Sequence, residues 1–215
     1  MFFNCKLVVL FLILTFMAFP SQAEVRTLDN PGVPDGVAVL TQKIERYMSS
    51  IDTVKARFVQ TAPDGTQRMG TFYLDRPGKM RFDYDPPVTD LVVADGVQLY
   101  YYDGELKQTS SAPVGQTLAD FLLRKNIRLT NDVQVIRVQE GGGLTQLTLT
   151  QKNDPAAGNM TLGFTAQPFV LKKWRVTDGA GQITEVELFD IVENPALPGS
   201  LFVFRDPKNP KGNYN

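Results

Sequence analysis

The stretch Asp90-Leu-Val-Val-Ala-Asp-Gly-Val-Gln-Leu-Tyr-Tyr-Tyr-Asp-Gly-Glu105 decides how this chain folds. Asp95-Gly96 and Asp103-Gly104 punctuate short apolar and aromatic runs. An Asp-Gly pair between such runs is a strong hairpin signal, because type I′ turns need positive φ at both central residues. Asp90–Ala94 and Val97–Tyr102 are therefore read as antiparallel neighbours, and the same pattern extends in both directions. Upstream, Val54–Thr61, Thr66–Asp75 and Met80–Tyr84 alternate in steps of two between Pro63-Asp64-Gly65, Arg76-Pro77-Gly78-Lys79 and Asp85-Pro86-Pro87. Downstream, Glu105–Ser110, Val133–Glu140, Leu144–Lys152, Met160–Thr165, Val170–Thr177 and Gln182–Val192 continue it, with turns at Gly141-Gly142-Gly143 and Asp178-Gly179-Ala180-Gly181. No long helical pattern separates consecutive strands, which argues against βαβ units and for an antiparallel sheet.

Two segments have helical spacing instead. From Asp35, Leu40, Ile44, Tyr47 or Met48, and Ile51 recur on one face, while Gln42, Lys43, Glu45 and Arg46 occupy the other, an amphipathic helix of about four turns. Inside the pause Pro113–Asp132, Thr117–Arg124 reads as a short helix with Thr117 as N-cap and Asp120 in the first turn. A long antiparallel meander must curl, split or leave edges exposed. The expected fold is mainly β (α+β): a single antiparallel meander of about eleven strands curled into an incomplete barrel, capped by short helices forming a lid. Two short helices can cover a concave face without filling it, which leaves a hollow lined by Phe, Met, Leu and Tyr, a surface suited to lipid.

Composition narrows the function. Among 215 residues there are 22 Lys+Arg, 23 Asp+Glu and no His, so His-based catalytic triads, His metal sites and His pH switches are excluded. The near-zero charge speaks against nucleic acid as a partner. Asp83, Asp85, Asp178, Glu185, Glu187 and Asp190 are the nearest carboxylate clusters, and turns or a solvated strand face account for their placement. No pattern for a metal site is present, and no enzyme, metal or cofactor is expected. In Lys172-Lys173-Trp174-Arg175, Trp174 is expected in the core, with Lys173 and Arg175 facing water.

The amino terminus has a different character. Lys6 precedes an apolar run, Leu7–Phe19, too short to span a bilayer, and Pro20-Ser21-Gln22-Ala23 ends it with small residues. Residues 1–23 are read as a cleaved secretory signal peptide. Cys5 lies before the apolar run rather than after it, so lipid anchoring is not expected, and the mature chain has no Cys and needs no disulfide. Residues 24–215 are read as one domain, with 24–34 a flexible arm and 206–215 a short tail; about 190 residues suffice for a core without staples.

Further pieces recur in a particular order: Phe58-Val59-Gln60, Gly70-Thr71-Phe72, Arg76-Pro77 before an aromatic strand, Val93-Ala94-Asp95-Gly96 followed by Leu99 and Tyr102-Asp103, Leu106 and Gln108, the Leu118–Leu123 helix, and the closing Phe202-Val203-Phe204. In this order the chain resembles the LolA-type periplasmic carriers that move lipoproteins from the inner to the outer membrane, over nearly all of its mature length. The resemblance implies an acyl-binding half-barrel and a periplasmic location. It implies acylated lipoproteins as cargo, an inner-membrane ATP-driven exporter as donor and an outer-membrane acceptor, with a monomer expected. It also implies that Arg76 latches the lid by hydrogen bonds to lid carbonyls. A carrier of free lipid or glycolipid on the same fold, or a lipoprotein-sensing module, are the alternatives. Phe58, Phe72, Leu74, Met80, Phe82, Leu91, Val93, Tyr100, Leu118, Phe121 and Leu122 are expected to line the cavity and its lid. Strand parity puts Phe72, Leu74 and Arg76 on one face, and Met80, Phe82 and Tyr84 on one face.

Overall fold

The chain reverses at both Asp-Gly pairs in the computed structural model, which describes residues 24–26, 34–129 and 133–209, but not through the expected type I′ turns, since of the four residues only Gly96 has positive φ. The segment read as a signal peptide and the last residues of the tail lie outside the described residues. Strands β1 (Glu24–Arg26), β2 (Thr53–Thr61), β3 (Gln67–Asp75), β4 (Lys79–Tyr84), β5 (Leu91–Asp95), β6 (Gln98–Asp103), β7 (Gln108–Pro113), β8 (Val133–Gly141), β9 (Leu144–Gln151), β10 (Gly158–Thr165), β11 (Leu171–Asp178) and β12 (Ile183–Glu193) make up one sheet. Helix α1 (Pro34–Ser49) precedes β2, and α2 (Asp120–Leu123) lies between β7 and β8.

The sheet order is β1-β8-β9-β10-β11-β12-β2-β3-β4-β5-β6-β7, antiparallel throughout. It is therefore two meanders joined by the β12–β2 pairing rather than one continuous meander. The segment carrying α2 separates β7 from β8, and β7 becomes one open edge of the unclosed barrel. At the other edge β1, which falls within the segment read as an arm, pairs with β8 as a twelfth strand. The expected strand Glu105–Ser110 is displaced to Gln108–Pro113, because the Asp103 carboxylate accepts the Glu105 and Leu106 N–H groups and lengthens the turn.

Helix α1 forms as predicted. Ile44, Met48 and, just past its end, Ile51 are buried against the sheet. Tyr47 ties the helix to two strands: its O–H donates to Glu193 Oε1 (2.6 Å) and its oxygen accepts the Leu171 N–H (3.0 Å). The second helix is shorter than expected. It spans only Asp120–Leu123 behind a 3-10 turn at Val114–Gln116, and Thr117 is not its N-cap. The Thr117 hydroxyl instead donates to Val114 O (2.8 Å), a local bond that competes with capping.

Trp174 lies in the core, and the charges beside it pair on the opposite face. Glu185 accepts Arg175 Nη2 (2.7 Å) and Lys173 Nζ (3.1 Å) from the neighbouring strand. Burial pushes the Glu185 carboxyl up, but the bonds from Arg175 and Lys173 outweigh it and hold the carboxyl below its ordinary value of 4.5. The native state thus binds this proton less readily than the unfolded chain. The resulting stability is present above pH 4.5 and is lost as pH falls through the lower, native pKa. Glu185→Gln is expected to flatten the acid limb of stability below pH 4.5. Urea midpoints measured from pH 6 to pH 3 read this directly, and an unchanged acid limb would count against it.

Candidate functional site: a lidded aromatic hollow

Antiparallel register determines which side chains share a face. Phe58 lies opposite Gly70, Phe72 opposite Phe82 and Leu74 opposite Met80, so one face of β2, β3 and β4 carries Phe58, Phe72, Leu74, Met80, Phe82 and Tyr84. With Trp174 these rings form a continuous floor. Successive centroid distances are 5.3 Å for Trp174–Phe72, 4.9 Å for Phe72–Phe82, 5.0 Å for Phe82–Phe58 and 5.3 Å for Phe58–Tyr84. Their mutual angles are tilted or edge-on, the arrangement favoured by aromatic quadrupoles.

The lid meets this floor from above. Phe121, Leu122 and Leu123 are buried in the same cluster, and Leu118 packs against it half-buried. Tyr47, Met48, Ile51, Leu122, Phe72 and Trp174 are among the residues surrounding a free space of about 20 Å³ beside Arg76. That is room for one or two water molecules. Beside Arg76, the hollow expected to be covered but unfilled is nearly filled by its own side chains. Anything larger than a few waters enters this space only if the lid segment or the rings move.

Arg76 sits where lid, helix and sheet meet. It is 7% exposed. Its Nε–H donates to Leu122 O (2.7 Å) on α2, and Nη1–H donates to Ile51 O (3.0 Å) and to Met48 O at the end of α1. The backbone reinforces the contact nearby, where Gly78 N–H donates to Leu123 O (2.8 Å). Gly78 has φ +81°, and an added Cβ would lie 2.9 Å from the Gly96 backbone, so this position accepts only glycine without rearrangement. A second contact lies farther along the lid segment, where the Glu45 carboxylate of α1 accepts the Leu129 N–H (2.7 Å). Burial pushes the Arg76 guanidinium down to about 10, with Tyr47 and Asp52 opposing the shift. It remains a cation at neutral pH, and its desolvation offsets part of what its hydrogen bonds contribute.

Three residues expected in the cavity lie elsewhere. Leu91, Val93 and Tyr100 project from the opposite face, with Tyr102, and Phe204 covers them there. Phe204 stacks on Tyr100 at 4.5 Å, and Arg81 Nη1–H holds the same C-terminal segment through Leu201 O (3.2 Å). On β5 and β6 the residues that share the hollow-facing side with Met80 and Phe82 are Ala94, Val92, Leu99 and Tyr101. The long Asp85–Asp90 connection does not carry strand parity from β4 to β5, so alternation alone left this choice open. Sequence reading also missed Tyr47, Met48, Ile51, Leu171, Leu188 and Ile191 as neighbours of the free space. The apolar stripe of α1 could have indicated the first three.

The chain matches the family model described as outer membrane lipoprotein carrier protein LolA over residues 49–205. It is 32% identical over 174 residues to an outer-membrane lipoprotein carrier protein of Legionella pneumophila, covering 77% of this chain and 85% of the relative. To a protein of the same description from Azotobacter vinelandii it is 29% identical over 209 residues, 92% and 94% of the two chains. Among solved structures it is similar to a LolA superfamily protein from Nitrosomonas europaea, with 13% identity, 76% and 97% coverage and a TM-score of 0.43.

Proposed function

The chain belongs to the LolA family of outer membrane lipoprotein carrier proteins, and we propose that it acts in the periplasm as a chaperone. It takes up the acyl chains of lipoproteins beneath its lid and carries them from the inner to the outer membrane. In this reading an inner-membrane ATP-driven exporter supplies the cargo and an outer-membrane acceptor receives it, and the protein catalyses no covalent chemistry. The observation that carries the reading is an aromatic floor closed by a lid segment that a buried arginine holds by backbone carbonyls.

The energetics suit a carrier better than a store. Each buried acyl methylene contributes about 0.8 kcal/mol, so several long chains represent tens of kcal/mol of gross transfer free energy. A closed state that already packs its own rings and satisfies Arg76 offsets part of that, because both must be disrupted to load cargo. Release then regains them. Arg76 acts as the latch, and Phe58, Phe72, Leu74, Met80, Phe82, Leu118, Phe121 and Leu122 as the acyl-contacting surface.

Photocrosslinking tests the cargo. A photoreactive residue at Leu118, half-buried on the lid rather than in the packed floor, leaves the core undisturbed. Adducts of whole acylated proteins are expected in living cells. Adducts of small lipid mass alone would reassign the protein to free lipid or glycolipid, and no adduct with either would overturn the proposal.

A further inference from the structure

The floor has one polar end. Gln60, Arg68 and Tyr84 occupy the hollow-facing side of β2, β3 and β4, as the pairings Gln60 with Arg68 and Gly70 with Tyr84 require. Arg68 begins this face of β3 and Arg76 follows its last residue, so the two arginines mark opposite ends of the floor. At the Arg68 end, Tyr84 O–H donates to Gln60 Oε1 (2.7 Å). Arg68 Nη1–H donates to Asp90 Oδ2 (2.5 Å). Asp90 is 8% exposed, and it further accepts the Gly104 N–H (3.0 Å) and the Tyr101 O–H (3.4 Å).

The chemistry of this cluster is one-sided. Both Asp90 oxygens are occupied by donors, and Tyr84, whose hydroxyl burial pushes above its ordinary value, stays neutral. Arg68 brings five N–H donors and the Gln60 amide two, with the Gln60 oxygen already accepting from Tyr84. The Arg68 side chain keeps 31% exposure and Gln60 is half-buried, so N–H groups at this end of the floor are reachable from outside. At the opposite end the Arg76 donors are directed at the Leu122, Met48 and Ile51 carbonyls and are buried. A lipid lying along the floor thus finds hydrogen-bond donors for its polar end beside Arg68.

We propose that Arg68 and Gln60, the latter oriented by the Tyr84 hydroxyl that donates to its oxygen, form a subsite for the carbonyl oxygens of acyl ester and amide linkages, where the chains join their headgroup. The inference rests on the carrier reading and adds to it a recognition of the linkage as well as of the hydrocarbon. An acylated cysteine and a diester phospholipid share this chemistry.

Binding of a fluorescent triacylated cysteine lipopeptide is compared with that of its diether analogue, which has the same chain lengths and lacks the two ester carbonyls. The wild-type protein is expected to prefer the ester-bearing probe by about tenfold, the range of a hydrogen bond to a charged donor. R68K keeps a cation opposite Asp90 but loses the planar fork, and Q60A removes the amide; together they should abolish the preference and leave ether-probe binding unchanged. Equal wild-type affinity for the two probes, or a preference that survives in R68K/Q60A, overturns the subsite and leaves the carrier reading standing. Failure of both probes to bind the wild type overturns both readings. A diester phospholipid that displaces the lipopeptide in wild type, but no longer in the double variant, extends the subsite to any diacylglycerol linkage.

Discussion

Replacement of Arg76 with alanine is expected to leave the sheet folded and release the lid. In the closed form the Leu122, Met48 and Ile51 carbonyls accept from the guanidinium in a site with almost no water access. Alanine leaves all three acceptors without that donor. A buried polar group left unpaired costs about 1–3 kcal/mol, so the closed state loses a few kcal/mol unless the lid opens and lets water in. The full sum is not expected, because Arg76 is itself a buried cation whose desolvation pushes its pKa down to about 10. The variant no longer bears that cost. A net weakening of about 2–3 kcal/mol corresponds to roughly a hundredfold rise in local opening.

Hydrogen exchange isolates this effect. The Leu122 and Leu123 N–H groups, which donate to Ala119 O within the lid, should exchange about a hundredfold faster in Arg76→Ala. Amides in the centre of the β2–β3 ladder should change little. The exposed floor should also bind an apolar dye that the wild type excludes. If lid amides exchange at the wild-type rate, Arg76 is a packing residue and not a latch.

The second large effect concerns the floor itself. Gly70 lies across from Phe58, and a Cβ at Gly70 would stand 2.1 Å from Asp83 O and 2.7 Å from the Phe58 ring. The ring has somewhere to go only by disturbing Phe82 and Tyr84, which it touches edge-on. The carbonyl belongs to the β4 backbone and moves only if the β3–β4 pairing moves with it. Gly70→Ala is therefore expected at the upper end of overpacking penalties, about 3 kcal/mol. Phe58→Ala, which empties a fully buried ring site, is expected to cost about 3–5 kcal/mol. The double variant should cost less than the sum, because removing the ring relieves one of the two clashes. Urea midpoints of the four proteins test this, and strict additivity would show that the ring and the glycine do not share one space.

Several elements were legible because their signals are local. Asp95-Gly96 and Asp103-Gly104 mark where the chain reverses, and the stripe Leu40, Ile44 and Met48 marks the face of α1 turned to the core. Phe72 with Leu74, and Met80 with Phe82, were assignable to common faces because alternation within a strand is strict. Leu91, Val93 and Tyr100 were not, since alternation is interrupted between Tyr84 and Leu91 and nothing local reports which side resumes. Phe204, distant in sequence, gives those residues a separate apolar cover that no pattern around them announces. The N-cap assigned to Thr117 failed for a related reason: the hydroxyl bonds back to Val114, and the helix begins three residues later.

The amino-acid sequence by itself determined that this chain is an antiparallel β protein with an apolar concave face, a cover of short helices, and no histidine chemistry. Hydrophobic period and turn residues are properties of neighbours along the chain, and they survive without a structure. Only the tertiary structure decided that β12 joins β2, that the aromatic rings pack beneath the lid segment in one cluster, and that Arg76 and Arg68 stand at opposite ends of the floor in opposite roles. Those outcomes depend on which acceptors arrive beside each guanidinium from distant parts of the chain. For Arg76 they are the carbonyls of Met48, Ile51 and Leu122, and for Arg68 the carboxylate of Asp90. An arginine's donors are the same in any sequence, and their use follows from what the fold places within reach.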